Sequence, residues 1–353
     1  MAVGSGEPPD GGSVEARVGD VAPVPAPRRG GQPSTGASAW LNVPAALFGV
    51  VLGLGGLSNG WRAAAKLWGW SGVPGEALAS LAVAVWAGLL LLYAAKWLRR
   101  PDAALAELRH PIQSSFVALA PISTSIVSIA TAPVLPELSR ILMVAGVAGQ
   151  AAFAVHAIAG LSVGKRDPEA TTPALYVPIV GGFLVSAIAA STAGHPDWGG
   201  LFFGAGFVAW LTLEAIILQR LLARPALPVA LRSTMGLHFT PPAVACVAYL
   251  SVTDGPPGLA GQALFGYALL HAAVGLRLLP WLREQAFGPG YWAYTFGISA
   301  LPLAALRLTE RGQTGPAASL ALPLLVAATL AIGAIAATTI RLLIQGQLIP
   351  PAR

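Results

Sequence analysis

The chain has 353 residues, of which 55% are hydrophobic and only 10% are charged. Soluble domains carry roughly 25% charged residues, so this composition excludes an ordinary soluble enzyme and favours an integral membrane protein. The net charge of +6 does not indicate nucleic-acid binding, because the basic residues lie mainly between the apolar stretches. No nucleic-acid partner is therefore expected.

The first 39 residues differ from the rest of the chain. They are rich in glycine and proline, carry both charge signs and contain no apolar run of seven residues. This composition predicts a disordered tail, and it gives no sign of a signal peptide or a transit peptide. The single cysteine, Cys246, lies in an apolar stretch and is interpreted as a small packing residue.

Ten apolar stretches follow, and each is long enough to cross a bilayer as a helix. The predicted spans are 42–60, 77–98, 112–131, 137–161, 173–193, 198–222, 235–252, 259–282, 289–308 and 317–345. We therefore predict an all-α channel domain over residues 40–346 and a short C-terminal segment over 347–353.

Every other span carries a proline, starting with the first one. These prolines are Pro44, Pro121, Pro178, Pro241 and Pro302. Proline frees backbone groups that lipid cannot satisfy, so kinked helices belong inside the protein or beside water. The pattern predicts five repeated helical hairpins with a quasi-fivefold arrangement, in which five kinked inner helices surround a pore and five straighter helices lie outside.

The distribution of basic residues predicts the orientation. With both termini placed in the cytoplasm, 16 of the 21 lysines and arginines fall on the inner side and five on the outer side. Such a bias is typical of membrane proteins, and it requires an even number of spans. We expect a multi-pass protein of the inner (plasma) membrane with cytoplasmic N- and C-termini.

Several small or hydroxylated residues are candidates for the pore lining. Gly49, Gly53 and Gly56 share one helical face, and so do Ser114, Pro121, Ser125 and Ser128. Close helix packing and hydroxyl bonds within the helix are the alternative interpretations of these two faces. The other candidates for the lining are Pro178, Gly182, Pro241, Gly297 and Ser299.

Ionisable residues inside spans suggest function, because burying them in a membrane is costly. Glu214 and His238 are the candidates here, and a structural pair between helices is the alternative. The kinked spans contain no Asp or Glu, whereas cation pores commonly use carboxylate rings. This absence favours small anions. No catalytic, nucleotide-binding or metal motif stands out, so neither enzyme activity nor a cofactor nor a metal is expected.

Seven segments in chain order resemble the tellurite-resistance/dicarboxylate transporter family, which includes bacterial tellurite-resistance proteins, plant guard-cell slow anion channels, malate permeases and sulfite exporters. The segments are 48–54, 110–122, 175–178, 201–206, 232–236, 276–281 and 292–297. The resemblance implies a homotrimer with one pore in each protomer. It also implies that Phe296 plugs the pore as a gate. The chain differs from relatives that carry proline where it has Val51 or Gly297.

The sequence leaves more than one function open. A passive anion channel or facilitator is the main hypothesis. The alternative is a proton-coupled carrier or exporter for C4-dicarboxylate, sulfite or tellurite-like oxyanions, which would require a titrating group such as His238 or Glu214. A membrane-embedded enzyme or a receptor is a further alternative. It would need grouped catalytic residues or a large extramembrane surface, and the sequence indicates neither.

Overall fold

The computed structural model describes Met1, residues 42–164 and residues 167–348. The predicted tail lies outside this part except for Met1, and so do residues 165–166 and 349–353. The described residues are helical and contain no strand. The helices are α1 Gly49–Trp68, α2 Val73–Arg99, α3 Pro101–Arg109, α4 Ser114–Val117, α5 Leu119–Thr131, α6 Pro136–Ser162, α7 Gly182–Thr192, α8 Pro196–Ala223, α9 Met235–Phe239, α10 Pro241–Val252, α11 Gly258–Leu282, α12 Trp292–Glu310 and α13 Pro316–Ile344.

Eight helical segments are long and apolar enough to cross a membrane. They are Val73–Arg99, Ser114–Thr131, Pro136–Ser162, Pro173–Thr192, Pro196–Ala223, Val229–Val252, Gly258–Leu282 and Pro316–Ile344. Helices α1 and α12 overlap the first and ninth predicted spans but begin and end later in the chain, and they have 20 and 19 residues. They are not among the eight candidates, since polar residues such as Asn59 and Arg62 dilute the apolar character of α1. The count of ten spans stays a prediction.

The candidate spans divide into two groups by burial. In the uninterrupted helices α2, α6, α8, α11 and α13, between 17% and 28% of the most apolar window is buried. In the three interrupted segments this share is between 67% and 78%. The uninterrupted helices therefore lie at the periphery, and the interrupted segments lie inside, as the predicted role of proline requires.

The inner helices contact one another in a closed circuit. Helix α1 contacts α5, α5 contacts α7, α7 contacts α10, α10 contacts α12, and α12 returns to α1. Each peripheral helix contacts two neighbours in this circuit: α2 lies by α1 and α5, α6 by α5 and α7, α8 by α7 and α10, α11 by α10 and α12, and α13 by α12 and α1. A functional site is therefore expected at the centre of the circuit.

Most of the interruptions coincide with the predicted prolines. Pro121 lies in the first turn of α5, Pro178 in the π-helical turn Val177–Gly181, and Pro241 at the first position of α10. Proline is tolerated in a first turn, where no N–H is needed, so the helices restart at these residues. The structure differs at Pro302, because α12 continues through this residue. Its irregular turn lies earlier, at Pro289–Tyr291.

Candidate functional site: a narrow cavity beside an aromatic ring

A cavity of about 40 Å³ lies among the inner helices. This is space for roughly two or three water molecules. It is lined by residues of α1, α5, α7, α9, α10 and α12 and of the segments before them, and none of the lining residues is charged. Two of the residues predicted to line a pore, Gly49 and Pro241, contribute to it, and so does Phe296, the predicted gate. The cavity is therefore a narrow, weakly polar constriction.

The Phe296 side chain lies between the two halves of the apolar core. It is half-buried, and it packs against both of the large hydrophobic clusters. A Cβ placed on Gly56 would be 3.8 Å from Cδ2 of Phe296. The next residue, Gly297, approaches the backbone of Thr240 so closely that its Cβ would lie 3.0 Å from the Thr240 Cα. Glycine at position 297 thus lets the backbone beside the ring approach Thr240, whereas a Cβ on Gly56 would be at an ordinary contact distance from the ring.

The glycine face of α1 is covered by α12. A Cβ on Gly53 would overlap the Thr295 side chain, and a Cβ on Gly56 would overlap the Ser299 hydroxyl. A Cβ on Gly49 would lie 3.2 Å from the Trp292 Cβ. This geometry supports the packing interpretation for Gly53 and Gly56, whereas Gly49 also lines the cavity.

The serine stripe of α5 lies against α6. Ser139 of α6 donates a hydrogen bond to the Ser128 carbonyl at 2.7 Å, and Gly146 of α6 accommodates the Ser125 side chain. Pro121 packs against Gly149 of the same helix. The residues that this segment presents to the Phe296 cavity are Phe116, Leu119 and Ile122.

Three further predicted residues lie outside the Phe296 cavity. Ser114 and Pro178 line a second cavity of about 300 Å³, between α4 and α6, together with Arg109 and His156. The buried Gln150 of α6 donates a hydrogen bond to the Pro178 carbonyl at 2.6 Å, and its amide fills the space beside Gly182. Gln150 therefore satisfies a carbonyl in the irregular turn, a role that the sequence alone did not reveal.

Glu214 and His238 are brought together with His271, another ionisable residue of the predicted spans. The three side chains are almost fully buried, with exposures of 8%, 6% and 6%. Glu214 accepts hydrogen bonds from the Tyr176 hydroxyl at 2.6 Å and the Trp210 indole at 3.0 Å. The Tyr176 ring also lines the Phe296 cavity, so this polar cluster lies directly behind the cavity wall.

The remaining contacts of this cluster come from α11. The Tyr267 hydroxyl donates to Glu214 at 3.2 Å. Of the partners of Glu214, only Trp210 could have been found from the sequence, because the two residues are four apart on one helix. Tyr176 and Tyr267 are distant along the chain, and nothing in the sequence pairs them with this carboxylate.

Comparison with known proteins identifies the family. A family model described as SLAC1, voltage-dependent anion channel, matches residues 42–340. The tellurite resistance protein TehA homolog of Haemophilus influenzae is 34% identical over 260 residues, which cover 73% of this chain and 79% of the relative. The guard cell S-type anion channel SLAC1 of Arabidopsis thaliana is 25% identical over 295 residues, which cover 80% of this chain and 53% of that relative.

The match of the family model extends from the residues before α1 to the last turns of α13. It includes the cavity, the cluster around Glu214, seven of the eight candidate spans and most of the eighth. The protein is thus a multi-pass membrane protein, and it belongs to the SLAC1 family of anion channels and transporters.

Proposed function

We propose that the protein is a passive anion channel or facilitator whose pore is closed by Phe296. The observation that carries this proposal is the position of the Phe296 ring in a narrow, uncharged cavity at the centre of the inner helices. A cavity of about 40 Å³ is too small for a hydrated ion to pass. Displacement of the ring would widen the cavity and join it to the space on either side.

The polarity of the lining supports anions as the transported ions. Carboxylate rings, which cation pores commonly use, are absent from the residues around the cavity. A fixed strong cation would hold an anion too tightly for rapid passage, so a weakly polar lining suits conduction. The membrane potential supplies about 2.3 kcal/mol per elementary charge at 100 mV, and a negative interior then favours anion efflux through an open pore.

The proposal includes a molecular architecture. The chain would form ten spans as five hairpins with quasi-fivefold symmetry, and three chains would form a homotrimer with a pore in each protomer. The closed circuit of inner helices supports the first point, and the family resemblance supports the second. The protein would lie in the inner (plasma) membrane with cytoplasmic termini, as the excess of basic residues on one side supports.

A reversal-potential measurement tests the proposal. We expect the purified protein in a planar bilayer, under a chloride or nitrate gradient, to give a reversal potential that follows the anion. The same gradient made with an impermeant anion and potassium serves as the control. A reversal potential that follows potassium would exclude an anion channel.

One observation favours a second candidate, a proton-coupled carrier for C4-dicarboxylate, sulfite or tellurite-like oxyanions. Glu214, His238 and His271 form a buried titratable cluster, and Tyr176 connects it to the cavity wall. In such a carrier, an anion gradient would drive proton movement in liposomes, and Glu214→Gln would abolish that coupling. Anion flux without proton movement, unchanged in Glu214→Gln, would exclude this candidate.

A further inference from the structure

The cluster around Glu214 joins three helices that are distant along the chain. Glu214 belongs to α8, His238 to α9 and His271 to α11. One carboxylate oxygen of Glu214 lies 4.0 Å from Nδ1 of His238, and the other lies 3.9 Å from Nε2 of His271. These distances are too long for hydrogen bonds. Both imidazoles nevertheless direct a ring nitrogen at the same buried carboxylate.

The two histidine nitrogens that face Glu214 receive no hydrogen bond from a donor among the described residues. Nδ1 of His271 lies 3.2 Å from the His238 carbonyl. A carbonyl only accepts, so this nitrogen carries the proton and the neutral ring presents the lone pair of Nε2 to Glu214. Nδ1 of His238 is buried and has no hydrogen-bond partner among the described residues. An unpaired polar atom at this depth is costly, and a cation bound between the two rings and the carboxylate would give it a partner.

We propose that Glu214, His238 and His271 bind one divalent transition-metal ion, such as zinc. Their ligand atoms all lie within 4.8 Å of one another. Zinc holds its ligands at about 2.0–2.2 Å, so small side-chain movements toward a shared centre would complete the site. Two imidazoles and one carboxylate are a ligand set that zinc uses with a fourth position open to water. Imidazole also selects zinc, copper, iron or nickel over magnesium and calcium.

The surrounding residues already orient these ligands. A metal-bound histidine usually donates its other ring N–H to a carbonyl or carboxylate, as His271 does to the His238 carbonyl. Tyr176, Trp210 and Tyr267 hold the Glu214 carboxylate in place. Such supporting contacts are absent from an accidental cluster of ionisable groups on a protein surface.

A bound ion would fix the position of α9. It would tie this short helix to α8 and α11, and α9 in turn lies against α12, where Gly236 accommodates the Tyr294 ring and Thr240 lies against Gly297. The ion would thus restrain the helix that packs beside Phe296. The site itself does not depend on the proposed transport function, because metal binding can be measured without any transport assay.

The test uses the full chain in detergent, purified without a polyhistidine tag and treated with a chelator. After incubation with zinc and desalting, we expect about one zinc per chain by elemental mass spectrometry. Cobalt in place of zinc should give the intense visible absorption of a four-coordinate site. A wild-type chain that retains no zinc and shows only the weak spectrum of aqueous cobalt would overturn the proposal before any variant is made.

Variants then locate the site. His238→Gln and His271→Gln should each weaken zinc binding at least tenfold, since even the loss of a supporting contact typically costs about 10–100-fold in metal affinity. His156→Gln is the matched control, because His156 is exposed on α6, and it should bind as the wild type does. Zinc should also raise the melting temperature of the wild type and of His156→Gln, but not that of the other two.

Equal zinc binding by all four proteins would place the metal elsewhere and overturn the assignment. A cluster that only takes up protons would give pH-dependent stability but no zinc-dependent rise in melting temperature, and this result also contradicts the proposal. If a histidine variant elutes abnormally, Glu214→Gln provides the same comparison with nearly unchanged side-chain volume.

Discussion

At the scale of single residues, Phe296 has two glycines near it, Gly56 and Gly297, which carry no side chain. A Cβ on Gly297 would lie only 3.0 Å from the Thr240 Cα, whereas a Cβ on Gly56 would lie 3.8 Å from the ring, which is an ordinary contact distance. The ring itself is only half-buried, although it contacts both large apolar clusters. Complete burial of a phenylalanine side chain contributes about 1.5–3 kcal/mol, so a partly buried ring can leave its place at a moderate cost.

This leads to a prediction for Phe296→Ala. Removal of the ring should join the cavity to the space beyond it, and we expect the single-channel anion conductance to rise at least tenfold. Phe296→Leu should give a smaller increase because leucine still fills part of the cavity. The measurement is conductance of purified protein in planar bilayers.

Phe202→Ala is the control for this prediction. Phe202 is also a half-buried phenylalanine, but it stands on the peripheral helix α8 beside Trp198. Its replacement should leave conductance unchanged. If Phe296→Ala elutes as the wild type and conducts no better than it does, the ring is ordinary packing.

At the scale of helices, the irregular segments could be located from the sequence but their contacts could not. Pro121, Pro178 and Pro241 marked places where helices restart, because proline restricts the backbone wherever it stands. Pro302 does not interrupt its helix, which continues through this residue. Helical periodicity also identified the glycine and serine faces. Periodicity states which residues share a face, however, and not which helix covers that face.

A buried ion pair holds the C-terminal end of α2 to the start of the inner circuit. The buried Glu107 of α3 pairs with Lys96 of α2 at 2.7 Å and accepts the backbone N–H of Ala45 at 2.8 Å. It also accepts the Tyr93 hydroxyl at 3.2 Å. One carboxylate thus joins α2, α3 and the turn that precedes α1.

We expect Glu107→Ala to destabilise the protein strongly. Breaking a buried ion pair by removing one partner costs about 3–5 kcal/mol, because the other charge stays buried. The apparent melting temperature in detergent should therefore fall by several degrees. Glu137→Ala is the matched control, since Glu137 pairs with Arg140 in an exposed position and exposed pairs contribute little. Equal melting temperatures for the two variants would show that the buried pair does not stabilise the fold.

At the scale of the whole molecule, the strongest expectation from the sequence concerns orientation. The distribution of 16 basic residues against five predicts that the loop after α8 lies in the cytoplasm and the loop after α12 outside. The only cysteine of the chain, Cys246, is fully buried. A thiol introduced at an exposed position is consequently the only one that a reagent can reach easily.

Labelling of intact cells with a membrane-impermeant maleimide tests this orientation. Thr314→Cys, in the loop after α12, should react in intact cells. Ala226→Cys, in the loop after α8, should react only after the membrane is permeabilised. The unaltered protein, with its buried Cys246, is the background control. The reverse pattern would place both termini outside the cell.

The composition and the proline pattern predicted a helical membrane protein with inner and peripheral helices, and the burial of the eight candidate spans agrees with this division. The cluster around Glu214 could not be predicted. Its members come from the turn before α7 and from α8, α9 and α11, and only the folded chain brings their side chains together. A sequence pattern describes neighbouring residues, whereas this polar site depends on contacts between residues that are 38 positions apart (Tyr176 and Glu214) or 53 positions apart (Tyr267 and Glu214).

The closure of the inner circuit also has a consequence for biosynthesis. Helix α1 is made first, but the face that contains Gly53 and Gly56 is covered by α12, the ninth predicted span. At about 5–20 residues per second, a ribosome needs on the order of 10–50 s to add the intervening chain. During that interval lipid or an insertion factor must cover α1, which is less apolar than the candidate spans that follow it. A nascent chain released before α12 emerges would contain every candidate span except the last. The face of α1 that α12 normally covers would then be exposed.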